Sequence, residues 1–281
     1  MKMLNFACGA RIHTDWENID FSPIDARVKK VNLLGRLPYP DNYFDCAYSS
    51  HFLEHLTPAH AHNILTEIKR VLKPHAILRI VVPDLENLCR AYLETLERLC
   101  LAVKAGGGGV EPTQLEFQHH WLMIELLDQM TRVKSGGEML KCFMAIQQTQ
   151  NIQYAQYIKT RVGEDLLAPH QSTRVPITKK ITFDKISNKI LGYYLKFLRL
   201  CVPRSLRDEV FISTSIGERH KWMYDRFSLP KLLQEIGFIN TQVFDYQTSQ
   251  IKDFGIYYLD SNPDNTPYKG ASSIYVESQK P

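Results

Sequence analysis

Short apolar runs near the N-terminus give way, further along, to apolar residues at helical spacing. Residues 3–7 (Met-Leu-Asn-Phe-Ala) predict a short strand that ends in Cys8-Gly9, and Glu17–Asp20 predicts the end of a second. A loop-like LPYPDNYFD, rich in Pro, Asp and Asn, leads into a third strand at Phe44–Tyr48. Thr57-Pro58 is a helix start, a hydroxyl N-cap with proline in the first helical position. Ile64, Leu65, Ile68, Val71 and Leu72 then recur on one helical face. Lys73-Pro74 predicts the stop, and Ile77–Val82 predicts a strand closed by Pro83-Asp84.

Strand, helix and strand in that order, with short connections, predict a parallel sheet with a βαβ crossover. Ligands of such sheets sit beyond the carboxyl ends of the strands. The tips of interest are therefore Ala7–Gly9, Asp20, Asn32-Leu33, Ser49–His51 and Pro83-Asp84. After residue 84 the texture changes. Leu85, Leu88, Cys89, Tyr92, Leu93, Leu96, Leu99 and Cys100 keep helical spacing, AGGGGVEP interrupts it, and a second helical pattern runs from about Thr113 to Val133 before Gly136-Gly137. Residues 145–218 carry the least legible pattern, read as helices and loops. Ser228 then predicts a helix cap, Leu229, Leu232, Leu233 and Ile236 a helix closed by Gly237, and Ile239–Tyr246 and Ser272–Glu277 two strands. The expected organisation is a sheet core over 1–87 and 218–281, interrupted by a mostly helical insertion over 88–217 that could serve as a substrate lid.

The 281 residues suit one α/β domain with such an insertion. A net charge of +4, from 34 basic and 30 acidic residues, is too mild and too dispersed to point to nucleic acid. No apolar run approaches a membrane span, and Asn5, Cys8, Arg11, His13 and Asp15 break up any secretory leader, so a cytoplasmic protein is expected. Six cysteines without a C-x-x-C pair argue against a disulfide framework or a structural zinc site. Oligomeric state is not legible.

The loop after the first strand is chemically informative. Small residues at a strand tip let backbone N–H groups approach a ligand, but Gly9 is the only glycine there, so the G-x-G-x-x-G of dinucleotide binding is missing. A cofactor with a ribose and no phosphates asks only for a tight turn at Cys8-Gly9 and a carboxylate at the next strand tip, where Asp20 stands. A purely structural turn with a surface Asp is the other reading.

LNFACG, NID, LPYPDNYFD with SSHFLEHL, and EIKRVLKPHAILRIVVPDL, in that order and spacing, resemble the class I S-adenosylmethionine-dependent methyltransferases, specifically the type 11 family. HKWMYDRFSLPKLLQEIGF and ASSIYVESQK look like its final helix and last strand. With WLMIELLDQMTRVKSGGEM they look like a bacterial branch often encoded beside glycosyltransferases. The resemblance covers about 1–90 and 218–281, and the insertion only in patches. It implies an α/β Rossmann-like sheet and S-adenosylmethionine as cofactor. Ala7, Cys8 and Gly9 would pack against the amino-acid end, with Asn5 in the same set. Asp20 would hold the ribose hydroxyls, Asn32-Leu33 would flank the adenine, and Ser50-His51 would border the sulfonium. The interval from Gly9 to Asp20 is too short for the family's usual helix. Asn32 replaces a common Asp, and His75-Ala76 replaces a usual Gly-Gly.

An acceptor amine or hydroxyl must lose a proton, which directs attention to histidines. His51, Glu54 and His55 share a helical face if that segment is helical. Bracing of the strand-to-helix turn is the plain reading, a catalytic or substrate-facing His55 the second, and metal binding the third; no metal site is assigned. His119, His120 and Trp121 lie near Asp128, Gln129 and Arg132, either in an inter-helix network or as a lid whose His120 or Arg132 touches the acceptor. His220, Trp222, Tyr224 and Asp225 suggest a sugar-binding surface or an acid–base group, with Trp222 and Tyr224 otherwise as packing anchors. His220 is the first candidate base and His55 the second. Lys185, Lys189, Lys196, Arg199, Arg204 and Arg207, set among apolar residues, predict a basic-faced helix of the insertion or a peripheral membrane contact.

The expected activity is methyl transfer to a hydroxyl or amine of a saccharide or other small molecule, the saccharide resting on analogy with family neighbours. No D/N-P-P-Y stands at the fourth strand tip and no basic stripe interleaved with aromatics is present, against a nucleic acid substrate. A non-catalytic scaffold on the same fold is the alternative. A dehydrogenase is disfavoured by the missing glycines.

Overall fold

The computed structural model describes residues 1–104, 110–168, 193–195, 197–212, 214 and 217–281. Seven strands, β1 (Met3–Phe6), β2 (Trp16–Asp20), β3 (Lys29–Lys30), β4 (Phe44–Ser50), β5 (Leu72–Pro83), β6 (Ile239–Phe244) and β7 (Ser273–Gln279), form one sheet in the order β3-β2-β1-β4-β5-β7-β6. The first five run parallel, and β7 lies antiparallel between β5 and β6. The chain steps outward from β1 through β2 to β3, then returns to place β4 on the other side of β1. The point where strand order reverses therefore lies between β1 and β4, where a crevice opens at the carboxyl ends.

The helix α1 (Pro58–Val71) begins where Thr57-Pro58 predicts it, the Thr57 hydroxyl accepting the His60 N–H. Its buried stripe of Ile64, Leu65, Ile68 and Val71 joins Leu229 and Leu233 of the last helix, Ser228–Ile236, against Leu4, Phe6, Ile80 and Val276 of the sheet. Asp225, rather than Ser228, caps that last helix, its Oδ1 accepting the N–H groups of Phe227 and Ser228. The strand predicted from Ile77 begins earlier, at Leu72. Leu72 pairs with Phe44, and a register shift beside Phe44 absorbs Lys73–Ala76, the kind of irregularity at which a strand tolerates proline. Within it His75 adopts φ +66°, a left-handed position that glycine would fill without strain, in keeping with the Gly-Gly of the resembled family.

The opposite face of the sheet is covered differently. Residues 7–15 connect β1 to β2 without a helix, and the long segment between β6 and β7 takes its place. Ile251, Phe254 and Leu259 from that segment pack on Trp16, Cys46, Tyr48, Val81 and Tyr275. The short interval between Gly9 and Asp20 is thus compensated from the far end of the chain. Arg79 anchors the covering segment. Its guanidinium donates to Asp260 at 2.6 Å and Glu277 at 2.8 Å, and to the Thr248 and Asp245 carbonyls.

Helices α2 (Leu85–Lys104), α3 (Val110–Thr131), α4 (Gly137–Thr149) and α5 (Ile152–Val162) follow β5. Of these, α3, α4 and α5, with the residues after α5, share a core of Trp121, Ile124, Ile146, Ala155, Ile158 and Leu166. Among the described residues no helix is long and apolar enough to cross a membrane. Lys185, Lys189 and Lys196 of the predicted basic stretch lie outside the described residues, while Arg204 opens a short helical turn that continues over Arg207–Val210.

The helical segment docks on the sheet core at the end of α5. Arg161 O accepts the N–H and hydroxyl of Ser272, and Thr160 O accepts the Ala271 N–H. Gly163 closes α5 at φ +81°, where a Cβ would overlap the Tyr268 carbonyl. Gly163→Ala is therefore expected to destabilise the protein by about 1–3 kcal/mol from the left-handed backbone alone, and by more once the overlap is added. Urea unfolding checks this, and an unchanged midpoint would refute the tight approach.

Candidate active site

Beyond β1 the chain turns out of the sheet through Ala7 and Gly9, both at φ +53°, and beyond β4 through His51 at φ +52°. Two non-glycine residues in left-handed conformation at adjacent strand tips are uncommon, and such strain concentrates at functional sites. The Gly9 N–H donates to Asp20 Oδ2 at 3.0 Å and the Ser22 N–H to Asp20 Oδ1 at 2.9 Å, so the carboxylate ties the first two tips together. A cavity of about 150 Å³ opens here, lined by Asn5, Ala7, Cys8, Gly9, Ser50 and His51 among others. Burial, with Asp20 nearby, pushes the Cys8 thiol up to about 12, so this residue contributes shape rather than reactivity.

These residues fit the amino-acid end of S-adenosylmethionine. The side chain of Asn5 is buried and donates to the Arg11 carbonyl and to Asn18 Oδ1, while its own buried Oδ1 has no partner among the described residues. A Cβ added at Gly9 would meet nothing within 4 Å, which leaves an open approach to the backbone. Asp20 Oδ1 and Oδ2 each accept one backbone N–H and keep lone pairs for a ribose diol. Asp20 and Asn32-Leu33 stand at the tips of β2 and β3, outside this cavity. Leu33 is fully buried in the core, and exposed Asn32 closes a turn by accepting the Leu34 N–H.

A larger cavity, of about 340 Å³, adjoins the first. A 3-10 turn at Leu53–His55 carries Glu54 and His55 into it. The chain returning from the helical segment is threaded between that turn and α3. The His220 N–H donates to Gln129 O, and the Lys221 and Trp222 N–H groups donate to Glu54 O. This brings Glu54, His55 and His220 together, with His55 and His220 rings 4.9 Å apart. His55 Nδ1 bonds the Arg219 carbonyl at 3.0 Å, which fixes its Nε2 as the free nitrogen, 3.8 Å from Glu54 Oε1. His51 Nε2 bonds Ser273 Oγ, and its Nδ1 lies 3.5 Å from Glu54 Oε1. Glu54 is fully buried, and neither of its carboxylate oxygens has a hydrogen-bond partner among the described residues. That burial pushes its carboxyl up to about 8. Burial also holds His220 down to about 3, and His51 and His55 below the usual imidazole range, so their lone pairs are free at neutral pH.

Arg132 reaches this cavity from the end of α3, paired with Asp128, and its Nε is unpartnered. The other residues singled out for the acceptor are placed elsewhere. His120 is exposed on α3, Trp222 is exposed beside the cluster, Tyr224 is buried in the main core, and Asp225 serves as the helix cap. Several lining residues escape sequence reasoning as cavity groups, and two bear on the chemistry. Glu54 reads as a turn brace because its solitary burial is a tertiary fact. Lys269 lies in the turn-rich segment before β7, where no periodicity marks it, yet it lines both cavities.

The strand order, with the smaller cavity at its switch point and the larger one beside it at the tips of β4 and β5, defines a Rossmann-like class I methyltransferase fold. Residues 9–80 match the family described as "Methyltransferase domain". No curated protein is significantly similar in sequence. Among solved structures, a SAM-dependent methyltransferase from Archaeoglobus fulgidus aligns over 99% of this chain and 86% of its own, at 12% identity and a TM-score of 0.39. A SAM-dependent methyltransferase from Thermotoga maritima, described as a possible histamine N-methyltransferase, aligns over 100% and 82% at 11% identity and a TM-score of 0.38. A third, from Methanosarcina mazei, covers 33% of this chain at 25% identity and a TM-score of 0.27. The chain spans only 38% of the [4+2]-cyclase SpnF and 59% of the Methanosarcina protein. All these scores fall below 0.5, and the fold assignment rests on the strand order instead.

Proposed function

We propose that this methyltransferase domain transfers the methyl group of S-adenosylmethionine to a hydroxyl or amine of a saccharide or other small molecule. The observation that carries the reading is the junction of the two cavities, since His51 and Lys269 line both. A cofactor seated at the strand tips would present its sulfonium at that junction, and an acceptor in the larger cavity would meet it there. Displacement at a methyl carbon is in-line, so most of the acceleration comes from holding the two partners along one axis. Arg132 and Lys269 are placed to orient an acceptor rich in oxygen atoms. The larger cavity sets imidazoles, carboxylates and cations beside apolar Leu88, Met139, Phe143, Val162 and Met223, a mixture that a saccharide, with polar edges and apolar faces, can use. His220 takes the acceptor proton, with His55, locked in one tautomer by the Arg219 carbonyl, as the second candidate.

The test is release of S-adenosylhomocysteine over a panel of acceptors, sugars first. His220→Ala and His55→Ala are expected to slow turnover by roughly 10²–10⁴-fold, with cofactor affinity intact. Unchanged turnover in both variants would defeat the assignment of the base. No acceptor-dependent release from a protein that binds the cofactor would defeat the enzyme reading.

A further inference from the structure

We infer that Glu54, His55 and His220 form a binding site for one divalent first-row transition-metal ion, with His51 as a fourth donor at its edge. The ligand atoms of the first three lie within 4.8 Å of one another. Two ligands of a tetrahedral ion, each about 2.0–2.1 Å from it, lie roughly 3.3 Å apart, so side-chain shifts on the order of one ångström close the set. Each element of the cluster is held as a ligand requires. His55 donates Nδ1–H to a backbone carbonyl, the outer contact that fixes which imidazole nitrogen faces a metal. His51 is held in the same way through Nε2 and Ser273 Oγ. Both remaining nitrogens face Glu54 Oε1, at 3.8 Å and 3.5 Å, too far for a hydrogen bond of good geometry.

Glu54 is the independent sign of a missing partner. It is 0% exposed, lines the cavity, and among the described residues has no donor on either oxygen. An ionised carboxylate buried in this way is paired or bound to a metal, and without such a partner it keeps its proton. Imidazole nitrogens with a single carboxylate favour zinc, manganese, iron or cobalt over magnesium or calcium, which prefer all-oxygen shells.

The ion site stands on this geometry alone; its catalytic consequence rests on the methyl-transfer reading. An acceptor hydroxyl reaching the ion would lose its proton to solvent more readily. Its oxygen would form the new C–O bond as the C–S bond of the sulfonium breaks. His55 and His220 would then serve as ligands in place of free bases.

The experiment is titration of the chelator-stripped full chain with Co²⁺, followed by its visible absorption, with cofactor calorimetry on the same stripped sample. The expected result is one Co²⁺ per chain with the intense bands of a low-coordinate site, abolished by Zn²⁺. Glu54→Gln and His220→Ala are each expected to weaken Co²⁺ by at least the roughly 10–100-fold that loss of even an outer-shell partner costs. His62→Ala, at an exposed position on α1, should leave binding unchanged. Should either variant fail to fold, the wild-type stoichiometry and spectrum decide. Absence of those bands at excess Co²⁺, or wild-type affinity in both folded variants, would overturn the site. Cofactor binding by the stripped protein without any Co²⁺ bands would remove the ion and leave the methyl-transfer reading standing.

Discussion

Asp20→Ala should lower the affinity for S-adenosylmethionine about 100-fold. A hydrogen bond to a charged group contributes about 1.5–3 kcal/mol, and a ribose diol would make two to this carboxylate. Loss of about 3 kcal/mol corresponds to roughly a hundredfold in Kd. The carboxylate also holds the Gly9 and Ser22 N–H groups, so the variant loosens the loop that shapes the smaller cavity. Asp20→Asn retains one acceptor oxygen and should fall between the two. Isothermal calorimetry reads all three proteins, with circular dichroism as a check that each is folded. Equal affinity in wild type and Asp20→Ala would place the ribose elsewhere and withdraw the cofactor pose.

Arg79→Met should be the most destabilising single change in the sheet, at about 3–5 kcal/mol, the cost of leaving buried charges without their partner. Asp260 and Glu277 are 2% and 0% exposed at their side chains. Tyr48 Oη donates to Asp260, while Ser249 and the Gln250 N–H donate to Glu277, but no second cation reaches either carboxylate among the described residues. A loss of that size is a large share of the 5–15 kcal/mol that typically holds a domain together. Urea midpoints measure it. Neutralising all three groups, Arg79→Met with Asp260→Asn and Glu277→Gln, should recover part of the loss, because the damage comes from the unpaired charges. A deficit below about 1 kcal/mol in the single variant would show that the pair contributes no more than a surface ion pair.

The parts of the fold that were legible are those whose pattern is local. Thr57-Pro58 and the apolar stripe to Val71 declare α1 because cap chemistry and period both act within a few residues. The tips of β1, β2 and β4 were legible because apolar runs broke at Cys8-Gly9, Asp20 and Ser50-His51. Longer-range effects hid the rest. Gly136-Gly137 reads as a terminator, yet Gly136 at φ +81° sits at the start of α4. The covering role of Ile251, Phe254 and Leu259 depends on their reaching a sheet face left bare hundreds of residues earlier in the chain. In the candidate site, His51, His55, His220 and Arg132 line one cavity, although the sequence sets them in three separate groups and shows no sign of their meeting. The isolation of Glu54 and the reach of Lys269 arise only in three dimensions.

The loop that carries Tyr268 and Lys269 is stitched to α5 through Ala271 and Ser272 and walls both cavities. Occupancy of either cavity that displaces this wall must alter the affinity of the other. Thermodynamic linkage makes the factor identical in both directions. The order in which donor and acceptor load is then a property of the wall: a shift that admits the second ligand gives synergy, and one that crowds it gives mutual exclusion.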